Sequence, residues 1–431
     1  MPVPNPPAHA PYVRCREAPI WRSKWLQGSM ASNLVLKGVA PDWKTVPPLP
    51  RYNKGRYDVK TQPLLYEARD KYLAKGVVMA APSQDPAELV DEYGCFISSS
   101  FMLEQEFKKP RWCFHLHDLG TYERKKSSRQ DTLKQAPGWA VPGMFTFAND
   151  AEDAFFNAWT KQWSHRFFVI DCGPGPAADG SAPTQENPRF VTMIGMCFGW
   201  TKAPWVWYKM TRPWVRMLRG GDYVQVLQDQ DVLVRTHTAS KELVRMIEPD
   251  TESTLSLSHD DEPLPPLHMT LYVDDQGGGH PVRQIAYKQE VASRALMNVF
   301  GWKDSVKKRV SVLRDDPQYM VFLGVGFGTH TDLGLYSMLD KYIVYMRKTA
   351  RAMIGHLTRN RIWMSARWGA QLVGTMVSQV LPWPAARRHS RGLQSDLNAS
   401  MFYKGQRCCQ VNFFARAGGP FNSTLRHYTR P

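Results

Sequence analysis

Long apolar runs are missing from this 431-residue sequence. No stretch of about 18 uninterrupted apolar residues occurs, which argues against a membrane-spanning helix. The nearest approach, Gly369 to Ala386, is broken by Gln371, Thr375, Ser378, Gln379 and Pro382 and reads as a packed helix. The Pro-rich N-terminus lacks an apolar h-region, so no secretory signal is expected there. Cysteine is scarce and unpatterned: seven residues, an odd number, without framework spacing. That argues against a disulfide scaffold and fits a reducing compartment, cytoplasmic or nuclear. Cys408 and Cys409 have no second pair with which to form a zinc site. Cys113, His115 and His117 alternate along a strand-like piece and read as a buried face rather than a metal site. No internal repeat is evident. Acidic residues are outnumbered, 39 against 55 Lys and Arg, leaving a net charge of +16. Such an excess favours a polyanionic partner, nucleic acid before an anionic membrane surface.

What is present divides into blocks. Residues 1–60 are rich in Pro and Arg with little periodicity and are expected as an extended arm. Pro63 to Lys75 has helical spacing, with Leu64, Leu65, Ala68 and Tyr72 on one face. Strand-like pieces follow at Cys95–Leu103 and Trp112–Leu119, around the basic hairpin candidate Phe107 to Arg111. Phe145 to Asp150 reads as a strand ending in an acid, and Phe167–Ile170 and Phe190–Met196 as further strands. Residues 172–188 and 248–266 read as inserted loops, the first rich in Gly, Pro and Ala, the second acidic and rich in Ser and Pro. Ala203 to Leu218 reads as a helix opened by Pro204. Ile285 to Phe300 is a second helix, stopped by Gly301. Leu339 to Leu397 is largely helical and basic.

The chemistry gathers at Met269-Thr270-Leu271-Tyr272-Val273-Asp274-Asp275. A strand that turns at Tyr-Val-Asp-Asp places two adjacent carboxylates at a hairpin tip. With a third Asp from a neighbouring strand they can hold two hard divalent cations, roughly 3.5–4 Å apart, that activate a 3′-hydroxyl and stabilise leaving pyrophosphate. Mg²⁺, or Mn²⁺, suits such an all-oxygen site. Three aspartates compete for the third position: Asp150, Asp171 and Asp118. Upstream, Met196 to Pro204 opens a helix behind Gly199, which lets a backbone approach a nucleotide or template closely. The cations Lys341, Arg347, Lys348, Arg351, Arg359, Arg361, Arg367, Arg387, Arg388 and Arg391 recur on helical stretches and could follow a phosphate backbone.

The block Phe198-Gly199-Trp200-Thr201-Lys202-Ala203-Pro204, Lys209, Arg212-Pro213-Trp214-Val215 and Leu218-Arg219, taken with the Asp-Asp hairpin, resembles the reverse transcriptases of retrotransposons, closest to the DIRS-type (tyrosine-recombinase) retroelements. Asp150-Ala151-Glu152-Asp153-Ala154-Phe155-Phe156 is similar to the family's preceding acid-bearing motif, and Phe322-Leu323-Gly324 to its primer-grip turn. The resemblance covers about residues 65 to 400. It implies an α+β right hand: fingers over 61–143, a palm with an antiparallel sheet over 144–330, thumb and connection helices over 331–400, and a tail at 401–431. It implies that Asp150, Asp274 and Asp275 are the catalytic metal ligands for two ions. It implies that Phe155 checks the sugar, and that Phe198, Gly199, Lys202 and Tyr272 lie by nucleotide or template. The partners implied are an RNA/DNA template-primer and dNTPs.

The fingers depart from the family's pattern. Cys113 stands where an arginine is expected after Trp112, so Lys108, Lys109 or Arg111 would have to grip the triphosphate. Cys197 replaces the usual Pro before Phe198-Gly199. No ribonuclease H or recombinase motif is legible after Asn398. Two readings therefore stand: an RNA-directed DNA polymerase, and a catalytically decayed or repurposed nucleic-acid-binding derivative of one.

Overall fold

A computed structural model describes residues 7–55, 57, 60–105, 108–173, 183–184, 186–229, 264–330, 335–358, 363–400, 402–403, 406–407 and 412–414. Most of both expected insertions and most of the C-terminal tail lie outside the described residues, as do Arg359 and Arg361. The chain is a mixture of helices and sheets, as the α+β expectation has it, and divides into two compact units. The first holds Met1–Asp131, Asn149–Gln276 and Tyr287–Arg309; the second holds Thr132–Ala148, Gly277–Ala286 and Val310–Pro431. Among the described residues no helix is long and apolar enough to cross a membrane.

The strands β1 (Arg51–Tyr52), β2 (Val78–Ala80), β3 (Phe96–Gln105) and β4 (Lys108–Phe114) precede β5 (Phe145–Glu152), β6 (Val169–Asp171) and β7 (Phe190–Met193). In the first unit they form a mixed sheet in the order β1-β3-β6-β7-β2, with β4 on β3. β3 and β4 pair antiparallel as the basic hairpin anticipated, with Gln105 opposite Lys108. The second strand stops earlier than its pattern suggests: His117–Tyr122 is a helix, because Leu116 leaves the extended conformation. Ala81, Leu89, Ile97, Val169 and Phe190 close a core beside this sheet.

The strands β8 (Met269–Tyr272), β9 (Asp275–His280) and β10 (Lys303–Asp304) join β5 in a second sheet, ordered β10-β5-β9-β8. β5 pairs antiparallel with β10.

Residues 11–37 correct the expected extended arm. They form the helices α1 (Pro11–Glu17) and α2 (Met30–Lys37), with a 3₁₀ turn at Pro19–Arg22 between them. Ser29 caps α2, its hydroxyl accepting from the Ser32 N–H. These helices are too short to show a period in sequence, yet Ile20 and Trp21 are fully buried. Trp21 meets Phe300 edge-on at 5.0 Å and Trp302 at 6.2 Å. Trp207 and Trp214 reach the same Trp302 ring from a later helix, at 5.1 and 5.9 Å. One tryptophan thus gathers three distant pieces of chain into the core of the first unit.

In the second unit β11 (Tyr319–Phe322), β12 (Val325–Gly328) and β13 (Leu335–Met338) form an antiparallel sheet. Trp139 packs on it against Phe322 and Phe327. Three helices, Asp340–Thr358, Ala366–Ser378 and Ala386–Ser400, bury Met346, Met353, Leu372, Met376 and Leu393 among themselves.

Candidate functional site

Asp150 sits on β5 and is 3% exposed. Asp274 and Asp275 end the turn between β8 and β9 and begin β9. Backbone bonds set them side by side: the Ala151 N–H donates to the Asp274 carbonyl at 3.0 Å. The Ser305 N–H donates to the Asp150 carbonyl from the opposite flank, at 2.8 Å. The result is a cup of three carboxylates, whose ligand oxygens all lie within 4.8 Å of one another.

The turn that aims them is strained. Val273 has φ 56°, in the left-handed region that a β-branched side chain strongly disfavours. Such a conformation costs on the order of 1–3 kcal/mol and persists only where its surroundings over-determine it. Here two side chains hold it. The Trp207 Nε1–H donates to the Val273 carbonyl at 2.6 Å, and the Val273 N–H donates to Gln130 Oε1 at 3.0 Å. Asp131 accepts the Leu271 N–H at 3.0 Å and pairs with Arg219. β8 is the outer strand of its sheet, so these acceptors also satisfy its open edge.

Three negative charges packed this closely repel. Burial, helped by the Asp150 charge, holds Asp274 above the usual carboxylate range; Lys308 and Arg111 oppose this. Asp275 is pushed up to about 8 by burial, by the charge of Asp274 and by its hydrogen bond to Asp150. One cation answers inside the cup: Lys308 Nζ donates to Asp150 Oδ1 at 2.7 Å. Burial lowers the lysine's proton affinity, but its bond to Asp150 and the three carboxylates outweigh that and raise it overall.

This electrostatic arrangement has a thermal consequence. A carboxyl whose folded pKa exceeds its unfolded value keeps its proton in the native state, so stability falls as pH rises between the two. In chelator, Asp275→Asn is expected to melt above the parent chain, by a margin that widens from pH 5 to pH 8. Calorimetry at both pH values checks this, and a variant that melts below the parent at pH 8 would sink the repulsion account.

Neither rival aspartate joins the cup. Asp171 is fully buried in a closed network: the Tyr52 hydroxyl donates to it at 2.5 Å, Arg189 Nε at 3.1 Å and the Gly173 N–H at 2.8 Å. Asp118 makes a surface ion pair with Arg51 at 3.0 Å. Among the described residues, Asp150, Asp274 and Asp275 are the only group of three or more His, Cys, Asp or Glu placed to hold a metal ion. Cys113, His115 and His117 form no such group.

No protein-family model and no curated protein matches the sequence. Solved structures do. A foamy viral protease-reverse transcriptase in complex with an RNA/DNA hybrid aligns over 90% of this chain, at 9% identity and a TM-score of 0.50. A foamy viral protease-reverse transcriptase with double-stranded DNA aligns over 91%, at 11% identity and a TM-score of 0.49. The chain spans only 39% and 54% of the lengths of those two. The chain has a reverse transcriptase polymerase fold.

Within this reverse transcriptase fold the other candidate residues fare unequally. Arg111, exposed on β4, is close enough for its charge to lower Asp274. The side chain of Lys108 lies outside the described residues. Tyr272 is 43% exposed, immediately before the strained turn. Phe155 is buried on the 3₁₀ turn Ala154–Asn157, and Phe198 covers it edge-on at 4.7 Å. Phe198, at 42% exposure, is therefore the ring of this pair that meets solvent. Gly199 has φ +90°, and a Cβ there would come within 2.9 Å of the Phe114 carbonyl. The close approach it permits is to this chain's own backbone. Lys202 donates to the Ala40 carbonyl at 2.6 Å, and burial lowers its proton affinity. Sequence reasoning missed Lys308, Gln130 and Trp207. No local pattern marks them, since their partners lie 158, 143 and 66 positions away.

Proposed function

We propose that this chain is the RNA-directed DNA polymerase core of a retroelement, of DIRS type, extending a primer 3′-end on a template by phosphoryl transfer. The observation that carries the reading is the convergence of Asp150, Asp274 and Asp275 within 4.8 Å. The donor set fits hard divalent ions: three carboxylates, all oxygen, with their mutual repulsion only partly answered by Lys308. Asp150, Asp274 and Asp275 would hold two Mg²⁺ or Mn²⁺ ions. Bound there, such ions supply activation of the primer hydroxyl and stabilisation of the leaving pyrophosphate.

The chain's own residues do the rest by position and charge. The grip of Gln130 and Trp207 on Val273 keeps the carboxylates aimed without reorganisation. Arg111 brings positive charge to the side of the cup where a triphosphate would enter. Phe155 checks the sugar of a dNTP together with Phe198, the exposed ring that covers it, and Tyr272 faces the primer or template. Fingers, palm and thumb take residues 61–143, 144–330 and 331–400. Exposed Lys341, Arg347, Lys348, Arg351, Arg387, Arg388 and Arg391 follow the duplex backbone.

Two observations favour the second reading, a derivative that binds nucleic acid without catalysis. Arginine is absent after Trp112, and Lys202 is engaged with Ala40. Primer extension on poly(rA)/oligo(dT) with dTTP and Mg²⁺ or Mn²⁺ separates the two. Incorporation is the expected result. Salt-sensitive duplex binding without incorporation would replace the polymerase by the derivative.

A further inference from the structure

We propose that Asn149, Gln276 and Ser293 are positioning residues for the carboxylate cup, forming an amide–amide–hydroxyl bridge behind the sheet that anchors the strands bearing Asp150 and Asp275 to the helix Arg283–Val299. The inference rests on the metal-site reading given above.

Successive residues of a strand point to opposite faces. Asn149 precedes Asp150 and Gln276 follows Asp275, so both amides lie on the face turned away from the carboxylates. They are 1% and 0% exposed, and Ser293 is fully buried. Asn149 Nδ2 donates to Ser293 Oγ at 2.8 Å and to Gln276 Oε1 at 3.4 Å. The Ser293 hydroxyl donates in turn to the Glu290 carbonyl at 2.9 Å, within the helix Arg283–Val299. Two acid-bearing strands and one helix are thereby joined by directional bonds one residue from the chemistry.

Stability does not explain this choice of residues. Asn149 Oδ1 and Gln276 Nε2 are buried and have no hydrogen-bond partner among the described residues. An unpaired buried amide atom destabilises, whereas apolar side chains of similar volume would fill the same space without that loss. The backbone ladder already fixes the distance between β5 and β9; what apolar packing cannot supply is a directional hold of both strands on the helix behind them, which a hydrogen-bonded bridge does. That hold acts on β5 and β9 one residue from Asp150 and Asp275.

The test uses the full chain and Mn²⁺ alone as probe, its affinity read by electron paramagnetic resonance of the free ion, beside melting and circular dichroism. The double variant Asn149→Leu/Gln276→Leu is expected to melt at or above the parent temperature and to bind Mn²⁺ about 10–100-fold more weakly, the range typical of lost outer support at metal sites. Ser293→Ala, a smaller change, decides the matter should the double variant not fold. It should weaken Mn²⁺ binding, and Ser293→Thr, which restores the hydroxyl, should recover it. Folded variants that bind Mn²⁺ as the parent does overturn the bridge while leaving the metal site standing. A parent that binds Mn²⁺ no better than Asp274→Asn overturns the metal-site reading and the bridge with it.

Discussion

Asp274→Asn is expected to lower primer extension by about 10²–10³-fold, the scale on which a single preorganised electrostatic group acts, while duplex affinity stays within roughly twofold of the parent chain. The substitution is isosteric and removes one of three carboxyl groups that the fold itself holds at close range. The protein loses nothing by it thermally, because Asp274 is raised by burial and by its neighbour Asp150. Its carboxylate therefore opposes the empty fold and serves only what binds in the cup. On the proposed reading, nucleic-acid affinity comes from cations elsewhere, such as the exposed Arg347 and Lys348, and has no reason to change. Extension assays and gel shifts on one substrate measure both. Equal loss of the two would assign Asp274 a structural role instead.

Trp302→Ala is expected to destabilise the first unit by about 3–5 kcal/mol, the range for emptying a buried aromatic site. The ring is 2% exposed and touches Trp21, Trp207, Trp214 and Phe300, with centroids between 4.9 and 6.2 Å. These neighbours come from the N-terminal segment, from the helix Ala203–Gly220 and from the end of the helix Arg283–Val299. A cavity there should loosen the N-terminal segment first, since α1 and α2 are only 7 and 8 residues long. Denaturant melts report the loss, and limited proteolysis should move early cleavage into residues 10–37. Unchanged protection of that segment would show that it is held by something other than the aromatic hub.

The sequence made the site's acids legible but not what holds them. The Asp274-Asp275 pair ends a short apolar run, a local signal that survives reading one window at a time; Asp150 shares that signal with Asp171 and Asp118, and the family resemblance is what singles it out. The helix at Ala203 announced itself through Pro204 at its first turn. The N-terminal helices did not, because two turns bracketed by prolines show no period, and only tertiary contact reveals that Trp21 is core. Lys202 has the look of a free cation near a glycine turn, yet its ammonium is taken by the Ala40 carbonyl, 162 positions earlier. The family resemblance implies a sugar check at Phe155; that Phe198 covers it depends on the two motifs folding together. Polar partners chosen across more than a hundred residues leave no trace in local spacing.

Trp207 serves two masters, with a consequence for how such a chain drifts over generations. Its ring lies against Trp302, and its N–H holds the carbonyl of Val273. Phenylalanine would keep the ring and lose the donor; histidine would keep a donor and lose much of the ring. Change at this position is therefore screened twice, once by folding and once by chemistry. Asp274 is screened by chemistry alone. On the polymerase reading proposed above, lineages released from selection on catalysis should shed the aspartate early and the tryptophan late, leaving descendants that keep the fold without the chemistry.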